Sequence, residues 1–287
     1  MKKVKSSKEY FELYRRLKRQ CDTPITNIYL SLDMVNRYIA SDSLYFEEQG
    51  RGGVFLCDEQ EYYRGIYYVD ISNDWKIPPL DKALAIRNTY KKEQKGTELE
   101  LFETKLVSSG FHMAYSSIEM CIPLEAGDRL KKQKAMYDRI LKKGNFFVSY
   151  LKEKDLDDML ALRKNTKEFH IYNFVHKSNA EYLKEIENEQ YMGIYNEKEE
   201  LCACIYLAPG LNFRTGDGIC VKEEYKMKYG LGAALMCFVL DNAINGCHQK
   251  YVSWCEQQNL ESMKFHRSMG FLNTGKIADE WVLEQRS

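Results

Sequence analysis

The run GLGAALM, Gly230 to Met236, follows a strand-like DGICV and a short loop and opens an apolar stretch with helical character. A strand, a loop and a helix beginning on glycines constrain the fold strongly. They call for interleaved α and β elements, with the helix packed back on a sheet. The first N–H groups of a helix have no intrahelical partner, and the macrodipole adds positive potential there. Gly230 and Gly232 would let the main chain approach a bulky diphosphate with no Cβ in the way, and Lys226 and Lys228 add charge at the rim. The competing explanation is that these glycines only allow close packing of helix on strand. A nucleotide-hydrolysing loop of the GxxxxGK[ST] kind is absent, and YGLGAAL does not complete GxGxxG.

The surrounding pattern predicts a mixed α/β domain over residues 145–287. NFFVSYL reads as a strand, EKDLDDMLALRKN and NAEYLKEIENEQ as helices, and Tyr191 to Leu207 as a hairpin. After the glycine helix come the strand KYVSWCE, the helix LESMKFHRS and a last hairpin. The first half carries similar signals. Gly-Phe pairs stand at Gly110 and Gly270, 160 residues apart, each after a helix end, and a hairpin signal precedes each. Two halves of one fold are therefore expected: residues 1–126, a linking helix over 127–144, and residues 145–287. The linking helix has Asp128 as its candidate N-cap and Gly144 as its stop. Its seven Lys or Arg residues from Arg129 to Lys143 read as a solvated face or, less simply, as a nucleic-acid patch.

Composition limits the function. Lys plus Arg and Asp plus Glu balance at 42 each, so no global attraction to polyanions arises and no nucleic-acid partner is expected. The nine cysteines lack CxxC spacing and read as buried thiols of a cytoplasmic protein, with no metal site. The basic start lacks the apolar core of a secretory signal, and no apolar run is long enough to span a bilayer. No membrane association is expected.

A second motif accompanies the glycines. NLESMKFHRSMGF sets Asn259, Ser262, Phe265, His266, Gly270 and Phe271 at fixed spacing after the strand KYVSWCE. Together the two motifs resemble the acyl-CoA site of the GNAT N-acyltransferase superfamily. The resemblance implies two GNAT-like domains, each a mixed, mostly antiparallel sheet flanked by helices, with the cofactor site kept in the second and lost from the first. It further implies that Ile219, Cys220 and Val221 lie on a splayed strand whose backbone holds the pantetheine and thioester. Lys226, Met227, Lys228, Tyr229, Gly230, Leu231, Gly232 and Ala233 then form the diphosphate loop, and Asn259, Ser262 and Phe265 complete the cofactor contacts. Two positions depart from the family pattern. Met227 stands where Arg or Gln is usual, and His266 stands where a Tyr commonly protonates the leaving thiolate.

The chemistry implied is transfer of an acyl group, acetyl first among the candidates, from CoA to a primary amine of a small molecule or peptide by direct attack. His266 is either that proton donor or a packing residue, and Asn259 either caps its helix or bonds the pantetheine amide. Glu256 and Asp217 are equal candidates for general base. The aromatic loop KEFHIYNFVHK, with Tyr172 and Phe174, could line the acceptor opening or cover the core, and Trp281 on the last strand is expected to line the same opening. An aminoacyl-tRNA-dependent transferase and a non-catalytic acyl-CoA sensor are the alternatives. A fused pair of domains can mimic the dimer of single ones, so a monomer or weak dimer is expected.

Overall fold

The computed structural model describes residues 1–27, 30–72, 77, 79–124, 127–165, 177–210, 212–226 and 228–284, without the side chains of 94, 127–129, 209 and 215–217. The chain forms two compact units. One is built from Met1–Ser117 and the segment from Gly275 onward, the other from the described residues between Ile118 and Thr274.

The first unit runs β1 (Lys2–Lys3), α1 (Ser7–Gln20), β2 (Pro24–Thr26), α2 (Leu32–Ala40), β3 (Leu44–Gln49), β4 (Gly52–Asp58), β5 (Tyr62–Asp70), β6 (Ala83–Lys91), α3 (Thr97–Ser108) and the start of β7 (His112–Pro123). Its helices begin where the sequence places capping hydroxyls: Ser6 accepts from the Glu9 N–H, and Ser31 from the Met34 N–H. Every residue of β5 is buried, and its side chains alternate between two cores. Ile66 and Tyr68 join α1 and α2, whereas Tyr63, Tyr67 and Val69 join Phe102 and Leu106 of α3.

The second unit contains α4 (Gly127–Lys143), β8 (Phe147–Tyr150), α5 (Leu156–Lys164), α6 (Asn179–Glu187), β9 (Tyr191–Tyr195), β10 (Leu201–Pro209), β11 (Phe213–Val221), α7 (Leu231–Asn245), β12 (Lys250–Glu256) and α8 (Leu260–Met269). The last strand, β13 (Leu272–Leu283), starts there and pairs antiparallel with β6 of the first unit's sheet from Lys276 onward. Strands β8 to β11 pair antiparallel in sequence, and β12 adds parallel to β11. Leu156, Met159, Leu162 and Ile186 of α5 and α6 cover one face, with Tyr191, Leu201 and Cys204 beneath them.

Set side by side, the units repeat one order: strand, two helices, three antiparallel strands, a parallel strand, a helix and a long strand. Among the described residues, and leaving aside the linking α4, the additions differ. The first has β2 between its opening helices, and the second has α7 between the two parallel strands. The link from β5 to β6 spans only residues 71–82, too short for a helix like α7 with its loops.

Several expectations change. The closing hairpin is instead one twelve-residue strand, β13. Its only turn signal, Asn273 to Gly275, has just one strand residue ahead of it, too little to form a second arm. C-terminal residues expected in the second domain cluster with the first from Gly275 onward. α4 begins at Gly127, one residue before the expected cap Asp128, and ends before Gly144 as expected. Seven of the nine cysteines are buried, Cys121 is half-buried and Cys247 is exposed.

Candidate functional site

The site begins where a sheet opens. β11 and β12 pair through Phe213↔Lys250 to Gly216↔Ser253 and no further, although β11 runs on to Val221 and β12 to Glu256. Beyond Gly216 the two strands form a wedge. On its other edge β11 stays paired with β10, but the register slips between Ile205↔Ile219 and Tyr206↔Asp217, leaving Gly218 as an extra residue. Gly218 has φ 60°, a bulge of the kind that needs glycine and re-aims the neighbouring peptide groups. Ile219, Cys220 and Val221 therefore line the open stretch, with Cys220 fully buried.

After an eight-residue connection, 222–229, the chain enters α7. Gly230 is its N-cap, in the left-handed region at φ 62° and ψ 32°, and no side chain caps the helix. The Ala234 N–H makes the first intrahelical bond, to Gly230 at 2.9 Å, so the N–H groups of Leu231, Gly232 and Ala233 lie ahead of the ladder. A Cβ built on Gly232 would meet only Ile219 at 3.6 Å and Val221 at 3.8 Å, ordinary contacts. Helix-on-strand packing therefore does not require Gly232, whereas an approaching ligand would. At the rim Lys226 pairs with Glu223 at 3.1 Å, while Lys228 and Tyr229 are exposed. Met227 lies outside the described residues.

On the far side of the wedge Asn259 caps α8, its Oδ1 accepting the Ser262 N–H at 2.9 Å. The Ser262 hydroxyl accepts from the Cys255 thiol at 3.1 Å, and Phe265 is half-buried. His266 is 7 % exposed. Its Nδ1 stands 2.8 Å from the Ser262 carbonyl, which can only accept, so Nδ1 carries the proton. Nε2 then accepts from the Ser253 hydroxyl at 3.2 Å. Burial lowers the His266 pKa, against a smaller opposing effect of the Ser262 carbonyl. The imidazole is thus neutral near pH 7 with its free lone pair already engaged. This arrangement lacks the charge that the expected role as a cationic donor needs and places Nε2 against the Ser253 hydroxyl. Ser253, at the last paired position before the wedge, was not singled out in the sequence; its one signal is its alternation with Tyr251 and Cys255 on β12.

Residues 157–271 match the acetyltransferase (GNAT) family, a span that holds the wedge, the glycine helix and all of α8. Residues 157–271 of the second unit form a GNAT-family domain. No curated protein matches the chain in sequence. Among solved structures, a tandem GNAT protein from the clavulanic acid biosynthesis pathway superposes with a TM-score of 0.57 at 12 % identity, covering 99 % of this chain and 97 % of its own. A GCN5-related N-acetyltransferase from Sphaerobacter thermophilus gives 0.55 at 9 % identity, over 82 % of this chain and 77 % of that one. At such identities the likeness is one of fold. The whole chain has the fold of a tandem GNAT protein, its N-terminal half included.

The other expected residues of the GNAT domain fall in different places. Asp217 sits opposite Tyr206 just before the bulge, and the Glu256 carbonyl accepts the Asn259 N–H at 3.2 Å. Tyr172 and Phe174 lie outside the described residues. Trp281 does not line an acceptor opening. It is 8 % exposed, opposite Ile86 on β6, in the first unit's core with Phe102 and Phe111. Its strand pairs antiparallel with β6, and that pairing carries its indole into that core.

A group that went unnoticed in the sequence lies beside the bulge. Glu185 of α6 accepts from the Tyr206 hydroxyl at 3.2 Å, from the Tyr191 hydroxyl at 3.3 Å and from the Lys177 ammonium at 2.7 and 2.9 Å. The Lys177 Nζ also stands 4.4 Å from the Tyr206 ring centroid and 5.6 Å from that of Tyr182. A carboxylate ringed by tyrosines suits an ammonium group. Among the described residues no cluster of three His, Cys, Asp or Glu could hold a metal, and no helix is long and apolar enough to cross a membrane.

Proposed function

We propose that the second unit is an acyl-CoA-dependent N-acyltransferase, with acetyl-CoA as the donor tested first and a primary amine as the acceptor. The observation that carries this reading is the pairing of an uncapped helix start, with room above Gly232, and a strand that opens into a wedge directly ahead of it. The N–H groups of Leu231, Gly232 and Ala233 suit a diphosphate, and the backbone of Asp217 to Val221 suits an extended amide-bearing arm. When bound, acyl-CoA supplies an activated thioester. The chain supplies orientation and proton handling. Backbone donors near Gly218 would face the developing oxyanion, and the neutral His266 Nε2 would take a proton through Ser253. Glu185 of α6, whose partner Tyr206 stands at the bulge, would hold the acceptor ammonium in place of Lys177.

Release of free CoA thiol from acetyl-CoA in the presence of primary amines tests the reading. Turnover with at least one amine is expected, lost in Gly232→Asp. In Glu185→Gln the acceptor KM should rise about tenfold, the size of a charged hydrogen bond removed, with acetyl-CoA affinity unchanged. Binding of acetyl-CoA without turnover across a broad amine series would favour a sensor instead.

A further inference from the structure

Next to the glycine helix stands an aromatic step that the transfer chemistry does not use. After α4 the chain turns through Gly144 and Asn145, the latter at φ 57°, and the Phe146 N–H bonds back to the Leu141 carbonyl at 2.9 Å. A Cβ on Gly144 would lie 2.7 Å from two carbons of the Phe146 ring, so this ring can occupy its seat only because residue 144 is glycine. Phe146 is buried, and its ring meets Tyr225 edge-on at 5.6 Å and Tyr229 at 5.1 Å and 61°. Tyr229, immediately before Gly230, remains 40 % exposed. From α4 itself, Tyr137 comes within 3.2 Å of the place a Gly230 Cβ would take.

We propose that Tyr229, backed by Phe146, is a stacking platform for the adenine of the CoA nucleotide, so that α4 and the turn after it form part of the ligand site. The inference rests on the acyl-CoA reading and extends it to residues that precede the family match. Covalent order supports the assignment. CoA is linear, with the diphosphate between pantetheine and nucleotide. If the pantetheine follows β11 into the wedge and the diphosphate meets the start of α7, the nucleotide leaves on the loop side, where Tyr229 stands. A tyrosine offers a broad π-face to a purine at low entropic cost and keeps its hydroxyl in water. Its support is fixed in advance by Gly144 and a buried ring, so little order has to be gained on binding.

Calorimetric titration of the full chain with CoA and with 4′-phosphopantetheine, which lacks the nucleotide, tests the platform. Tyr229→Ser should weaken CoA about tenfold and change 4′-phosphopantetheine by less than about twofold, whereas Tyr229→Phe should keep wild-type affinity for both. Unchanged CoA affinity in Tyr229→Ser, or equal losses for the two ligands, would overturn the platform and leave the acyl-CoA reading standing. No binding of CoA or acetyl-CoA by the wild-type chain would overturn both.

Discussion

The two units open the same pair of strands and treat the opening differently. In the first, β5 and β6 pair in parallel through Tyr62↔Ala83 to Gly65↔Ile86, then part, as β11 and β12 do after Gly216↔Ser253. In the second unit the wedge leads to the glycine-headed α7. In the first it is filled by the chain itself. Strand β2 pairs with β5 through Pro24↔Asp70 to Thr26↔Tyr68, on the edge β6 has left, since β4 holds the other edge. Asn27 then closes the gap, donating to the Gly65 carbonyl and accepting the Tyr67 N–H, both at 2.9 Å. Asp70 anchors the insertion by accepting the N–H groups of Asp22 at 2.8 Å and Thr23 at 3.2 Å, and the further bonds from Ser72 hold its carboxyl well below the usual range. The edge of β5 that β6 leaves is therefore taken up by the first unit's own β2 and Asn27, whereas the β11–β12 pairing ends at Gly216↔Ser253 ahead of α7. An unpaired strand edge needs partners, and a unit with no described helix between its parallel strands can supply them from its own chain.

The sharpest way to break this comparison is to close the open wedge. Gly232→Asp places a carboxylate ahead of the helix ladder where a diphosphate would sit. Acetyl-CoA affinity should fall by about 100-fold or more, on the order of 3 kcal/mol, with little change in melting temperature because the Cβ has room. Retained affinity would mean that the helix start is not the cradle.

Opening the closed wedge should cost stability and leave ligand binding alone. Asn27→Ala leaves the Gly65 carbonyl and Tyr67 N–H without their partner, at about 1–3 kcal/mol by urea denaturation, with acetyl-CoA affinity unchanged. A second binding event in this variant would sharpen the comparison by revealing a latent site. Gly230→Ala should lower stability by about 1–2 kcal/mol, because residue 230 is left-handed and its Cβ would press on Tyr137. A smaller loss would show that the loop can relax.

The smallest effect concerns His266. Its folded pKa lies below the ordinary 6.5, so the unfolded chain binds more protons as pH falls through that region. The stability due to the neutral ring is complete above pH 6.5 and drains away below it. Melting temperatures from about pH 7.5 to 5 should fall more steeply for the wild type than for His266→Gln. Parallel curves would place the imidazole in water and reopen the donor role.

Much of the second unit was legible because local rules and tertiary demands agree there. The glycines, the Asn259 cap and the alternating strands each state their own geometry. The first unit was harder. Its plug depends on Asn27 and β2 meeting β5 about forty residues later, and nothing in PIT marks it as a strand. The fate of Trp281 was hidden for the same reason, since a strand's partner is set by long-range pairing and not by its own residues. His266 was recognised by position, but its protonation depends on Ser253 and on burial that only the fold provides. The Glu185 group joins a helix to two strands, so no spacing announces it.

One titration tests the central claim most directly: acetyl-CoA into the wild-type chain, read for stoichiometry, with Gly232→Asp as the partner experiment. One site per chain, absent from the variant, is the result that one open and one self-filled wedge predict. Two sites per chain, or one that survives the substitution, would contradict it.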